Sequence, residues 1–129
     1  MSHAVNITTQ FKNITNLLSQ FESLGWKIVQ NSKCRTYHSD PRKEDVHQYV
    51  ALNPKASGFD VGINVDQAGN AFFVCDFFDS SIEKQLGPKM QKIKQNYALT
   101  ELKKFMYDED LTYKVEELAT GELVVIAEK

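Results

Sequence analysis

The run FDVGINV, Phe59 to Val65, constrains this chain more than any other stretch. Phe59, Val61, Ile63 and Val65 alternate with Asp60, Gly62 and Asn64, the period of a strand with one buried face. A second strand-like run, Ala71 to Phe78 (AFFVCDFF), follows after DQAGN. Two such runs so close together predict an antiparallel hairpin, and its loop sets the register. A loop of Gln67-Ala68-Gly69 places glycine where a left-handed backbone is wanted. Val65 then faces Ala71, Ile63 faces Phe73, Val61 faces Cys75 and Phe59 faces Phe77. Every residue of that face is apolar or small, so it is the expected core. A shorter loop at Ala68-Gly69 slips the register by one and carries Asp76 into the core, which disfavours it.

The register also bears on Cys75. A reactive thiol needs a nearby cation or helix N-terminus to lower its pKa, and nothing local supplies one. Cys75 is therefore expected to be a small buried hydrophobe. The opposite face pairs Asn64 with Phe72, Gly62 with Val74, and Asp60 with Asp76. Like charges directly opposite each other destabilise a sheet. The expectation is that both acids are solvated, with a cation seated between them as the alternative.

Elsewhere, β-branched residues from Ala4 to Phe11 predict a first strand. Ile14, Leu17, Leu18, Phe21 and Leu24 recur at helical spacing, and Gly25 stands where a helix ends. Trp26 to Val29 predicts a strand, and so does Val46 to Leu52. Asn31 to Glu44 reads as a long connection with a short strand at Arg35–Tyr37. Ser80 and Glu83 have the spacing of a capping box. Gly87-Pro88 predicts a break, with Pro88 opening a new helix. Ile82, Leu86, Met90, Ile93, Tyr97, Leu102, Phe105 and Met106 form its apolar stripe. Strands at Thr112–Leu118 and Glu122–Ala127, joined at Thr120-Gly121, close the chain.

This order implies an α+β two-layer sandwich, a mainly antiparallel sheet with two helices packed on one face. At 129 residues, 42% hydrophobic and 25% charged, the chain fits a single folded domain over residues 1–129. Its net charge of −2 makes no strong overall field for nucleic acid, although Lys27 to Lys55 leans basic. MSHAVNITTQF is too polar for a secretory core, and no apolar run approaches the ~20 residues of a membrane helix. Cys34 and Cys75 form no Cys-x-x-Cys pattern, so free thiols in a reducing cytoplasm are expected.

Several pieces also resemble, in order, a family: MSH at the start, a helix ending in LGW, CRTY, FDVG followed by FVCDFF, QNYALTEL, and the closing VEE…GELVV. The family is hypothetical chloroplast open reading frame 35, also described as domain of unknown function 1257. Its members occur in cyanobacteria, algal plastids, other bacteria and some phages. The resemblance carries Arg35, Tyr37, Asp60, Gly62, Asp76, Tyr97 and Ala98 onto family positions. Cys75 stands where the family usually has alanine, and Ala4 where it has phenylalanine. Tryptophans common before the second helix are missing, which implies a divergent and phage-borne member. The family brings no biochemical activity with it. It implies a cytoplasmic or stromal setting, in contact with photosynthesis or its regulation.

Among functions, the residues favour an accessory or binding protein acting by protein–protein contact, with Phe72, Val74 and Phe78 as a partner surface. The alternative is a single-stranded nucleic-acid module using Lys33, Arg35, Tyr37, Arg42 and Lys43. A metal-dependent enzyme ranks lower. His3, Cys34, His38, His47, Asp60 and Asp76 are possible ligands without the spacing of a zinc motif. His38 and His47 are expected in or beside a polar loop, exposed. No catalytic residue, metal or cofactor is expected, and the protein partner is unknown. The candidate polar cluster is Arg35, Tyr37, Asp60 and Asp76. Arginine's planar fork suits a bridge between two carboxylates. A solvated cluster adds little to stability, so Arg35→Ala is expected to impair partner binding more than folding.

Overall fold

The hairpin lies inside a five-stranded antiparallel sheet of order β1-β5-β4-β3-β2. Its strands are β1 (Ala4–Phe11), β2 (Lys27–Lys33), β3 (Val46–Leu52), β4 (Val61–Val65) and β5 (Ala71–Asp76). The computed structural model describes residues 4–76, 80–109, 112–117 and 123–128. Val65 pairs with Ala71, Ile63 with Phe73 and Val61 with Cys75, the register of the three-residue loop. Gly69 takes φ +84°, a conformation glycine adopts without a Cβ penalty, and the Asp66 N–H donates to Asn70 O at 2.9 Å. The partner expected for Phe59, Phe77, lies outside the described residues.

Helices α1 (Ile14–Ser23), α2 (Ser81–Leu86) and α3 (Gln91–Asp108) supply the other layer, so the fold is α+β with an open sheet. Leu17 and Phe21 of α1, Ile82 and Leu86 of α2, and Ile93 of α3 are fully buried with Val61, Ile63 and Phe73. Leu18 and Tyr97 pack against them, partly buried. Phe73 is the centre of an aromatic cluster, its ring 5.3 Å from Phe11 and 5.8 Å from Phe21. Tyr97 ties α3 to the start of α1, its hydroxyl accepting from the Lys12 and Asn13 N–H groups at 3.1 and 3.0 Å. No helix among the described residues is long and apolar enough to cross a membrane.

Four expectations change. Arg35–Tyr37 is irregular rather than a strand, because the Arg35 and Tyr37 N–H groups donate to the Asp60 and Asp76 carboxylates instead of to a neighbouring strand. The closing strands, β6 (Thr112–Glu117) and β7 (Leu123–Glu128), pair with each other as a separate two-stranded sheet. Their connection falls outside the described residues. Ser80 precedes α2 in a helical conformation, φ −65° and ψ −11°, and makes no side-chain cap; an extended backbone is what such a cap needs. The helical stripe also splits. A 3-10 turn at Pro88–Met90, with Lys89 and Met90 at φ +52° and +62°, rotates α3 relative to α2. Met90 and Ile93 point inward, whereas Leu102 and Phe105 are 37% and 56% exposed. Beyond Tyr97, the seam with α1 is polar: the Asn16 amide donates to Tyr97 O and Glu101 Oε1, and the Gln20 amide to Thr100 Oγ1.

Cys75 is buried, as its register requires. Burial first, and then the neighbouring Asp76 charge, push its thiol up to about 12. It is therefore a protonated, unreactive thiol near neutral pH. Cys75→Ala is expected to lower stability by about 1 kcal/mol or less, a mild core truncation, in urea denaturation.

Candidate functional site

The sheet face away from the helices carries the residues that alternate with the core: Asp60, Gly62 and Asn64 on one strand, Phe72, Val74 and Asp76 on the next. The connection after β2 reaches this face and closes over one end of it. Arg35 brings its own N–H to Asp60 Oδ2 at 2.8 Å, its Nε to both carboxylate oxygens at 3.1 and 3.0 Å, and its Nη2 to Oδ1 at 2.8 Å. The Asn53 N–H adds a further bond to Oδ1 at 2.8 Å. Two residues on, the Tyr37 N–H donates to Asp76 Oδ2 at 3.4 Å.

Arg35 therefore meets Asp60, and the Tyr37 N–H meets Asp76, but neither acid is solvated. Asp60 and Asp76 are both 0% exposed. The reason is the covering segment, which replaces water with the Arg35 guanidinium and backbone N–H donors. A buried carboxylate is tolerated when paired and hydrogen-bonded in this way. Tyr37 takes part through its backbone, and its ring lies 4.3 Å from that of His38. The Asp60 hydrogen bonds hold Arg35 above its ordinary pKa, so the guanidinium stays charged.

The knot extends further than the sequence suggested. Arg35 Nη1 and Nη2 also donate to Ala56 O and Asn53 O at 2.6 and 2.8 Å. The Asn53 amide donates to Phe59 O and Ser81 Oγ, and its oxygen accepts from the Lys55 N–H and the Gln85 amide. One asparagine thus joins the 53–60 turn to α2. The only sequence signal was Asn53-Pro54 at a strand end, which marks a turn but not a buried side chain. Both Asp60 oxygens are occupied by donors, so this carboxylate braces the fold and offers no open lone pair for general-base work. Cys34, half-buried beside it, is pushed up to about 12 by burial first and by the Asp60 charge next.

Next to the knot, Arg42, Asp45, Val46, His47, Asn64, Phe72 and Val74 line an open cleft of about 470 Å³. His38 is exposed, but His47 is not: it is 5% exposed and belongs to β3. Strand alternation hides this. Tyr49 and Ala51 lean to the helix side, but the β3–β4 ladder ends at Tyr49 and Ile63, and beyond it the Gln48 N–H bonds to the Asn64 side chain instead of to backbone. The His47 ring then lies on Gly62, where a Cβ would stand 2.7 Å from it; only glycine leaves this space.

The imidazole has a defined tautomer. The Gln48 N–H donates to Asn64 Oδ1 at 3.0 Å, which turns the Asn64 nitrogen toward His47 Nδ1 at 2.9 Å. An amide nitrogen only donates, so Nδ1 accepts and the proton of the neutral ring is on Nε2. Burial is the largest influence on His47 and lowers its pKa; Asp45 raises it and Arg42 lowers it. With the folded pKa below the ordinary 6.5, the unfolded chain takes the proton first as pH falls. His47 is thus expected to reduce stability progressively below about pH 6.5, with no such loss above it. Urea denaturation across pH 5–8 checks this, and His47→Phe should flatten the acid limb.

No family model matches this chain, and no curated protein or solved structure does. The resemblance to the chloroplast reading-frame family therefore rests on its short motifs. Among the described residues, no three His, Cys, Asp or Glu side chains gather as a metal ion would need. His3 and Phe78 lie outside the described residues.

Proposed function

We propose that this chain is an accessory or binding protein that acts by protein–protein contact, made on the sheet face away from the helices. One observation carries the reading: Val46, 61% exposed, and the half-buried Phe72 line an open cleft beside the polar knot. Apolar side chains on a preorganised sheet give a partner area to bury without ordering a loop. Following the family resemblance, the partner belongs to a cyanobacterial or plastid setting, linked to photosynthesis or its regulation, in the cytoplasm or stroma.

The single-stranded nucleic-acid reading ranks second. Lys33 is bonded to Glu44 at 2.6 Å and Arg35 to Asp60, so two of its cations already have carboxylate partners.

Affinity capture from a cyanobacterial lysate, followed by mass spectrometry, tests the proposal. A reproducible protein partner that is lost with Val46→Glu supports it, since that exposed position can change without unfolding the chain. A partner retained by Val46→Glu moves the contact elsewhere. Copurifying RNA favours the nucleic-acid reading, and a stoichiometric metal restores the enzyme class.

A further inference from the structure

Helix α3 presents a stripe to the outside of the fold. Ala98, Leu102, Phe105 and Glu109 are exposed and Lys94 is half-buried. Steps of three and four residues separate them, which keeps all five on one helical face. α1 meets α3 through Tyr97, Thr100 and Glu101, and leaves this stripe to one side. Apolar residues occupy its middle, with a base at one end and an acid at the other. The charges run against the helix dipole. Lys92 and Lys94 stand at the start of α3, whose first turn holds no acid, and Asp108 and Glu109 stand at its end, whose last turn holds no base. Helix N-termini favour anions and C-termini favour cations, so α3 by itself has the unfavourable order at both ends.

A second α3 laid antiparallel answers both features at once. A two-fold axis crossing the helix between Glu101 and Leu102 brings the Leu102 side chains of both copies together. It sets the small Ala98 against Phe105 of the second copy, and Lys94 level with Glu109 of the second copy. Every contact off the axis then occurs twice, as an interface between identical surfaces requires. The acidic end of each helix lies beside the basic start of the other, which offsets the charge order along each dipole. A parallel pair sets Lys94 against Lys94 and Glu109 against Glu109, and an uncharged apolar partner leaves both ends unanswered. We propose that the chain forms a two-fold homodimer through this stripe of α3. The interface lies on the helix layer, apart from the cleft assigned to a protein partner, and does not rest on that reading.

Sedimentation equilibrium of the full chain should show a reversible dimer with a Kd of roughly 100 µM or tighter. Phe105→Glu should return it to monomer with its urea midpoint nearly unchanged, since Phe105 is already exposed. Lys94→Glu and Glu109→Lys should each weaken dimerisation roughly tenfold, because each change acts twice across the axis. The double variant Lys94→Glu with Glu109→Lys should recover the dimer, a rescue that no purely structural role for either residue gives. The proposal is overturned if the chain stays monomeric up to roughly 500 µM, if Phe105→Glu leaves the dimer intact, or if the double charge swap fails to recover it. A monomeric chain whose partner in the lysate is lost with Phe105→Glu gives the stripe to a different protein and overturns it too.

Discussion

Asp60→Ala is expected to lower the unfolding free energy by about 2–4 kcal/mol, since it removes a buried acceptor from two backbone N–H groups and from a guanidinium that stays partly in water. Three consequences combine. The Arg35 guanidinium loses the carboxylate that binds its Nε and Nη2. The buried Asn53 N–H loses its acceptor. The Arg35 N–H also loses its bond to Oδ2, so the covering segment is released at its first anchor. Arg35 is 42% exposed on its side chain, which lets water recover part of its solvation, whereas the Asn53 N–H has no such recourse. Urea denaturation of Asp60→Ala, with Asp60→Asn as the shape-matched control, measures the effect. A change under about 1 kcal/mol would mean the pair behaves like an exposed one. The burial of Asp60 also changes what Arg35→Ala should do. It strands a carboxylate among backbone donors, so folding is impaired first, contrary to expectation for a solvated cluster.

Phe73→Ala should have a comparable effect, about 3–5 kcal/mol. Phe73 is 0% exposed at the centre of the sheet and meets helix α1 through Phe21. Its contacts with Phe11 and Phe21 come from two different elements, β1 and α1, so no single segment can move in to fill the space. Aromatic geometry adds to the area term, since the Phe21 contact is edge-on at 80°. Phe72→Ala, one residue away on the half-buried opposite face, is the control and should cost less than half as much. Equal effects at the two positions would contradict the register that puts Phe73 inside.

Much of this architecture was legible along the chain. Alternation in FDVGINV and the glycine of DQAGN together specify the hairpin register, because a slip by one residue moves every side chain to the other face. Leu17, Phe21 and Ile93 follow from helical spacing for the same kind of reason: period reports burial wherever one face meets the core. The same count extends to Asp60 opposite Asp76, but the β4–β5 ladder ends one residue earlier, at Val61 and Cys75. Arg35 as the cation that meets Asp60 came from charge chemistry and the resemblance, not from any periodic signal.

Burial of those acids was not legible. Alternation says which face a residue occupies; it cannot say whether an irregular segment from elsewhere covers that face. The 34–45 connection has no period, and its placement depends on bonds between groups 25 residues apart, such as Arg35 to Asp60. Asn53 as a hub and His47 as a buried, single-tautomer ring depend in the same way on groups remote in sequence, Ser81 and Gln85 for one, Gly62 and Asn64 for the other. The sequence by itself determined the α+β class, the hairpin register and the apolar contents of the core, since these are set by local period and turn chemistry. Only the tertiary structure decided that the two aspartates are sealed under a loop and that a charged, open cleft is left beside them, because coverage of a sheet face is a property of long-range packing.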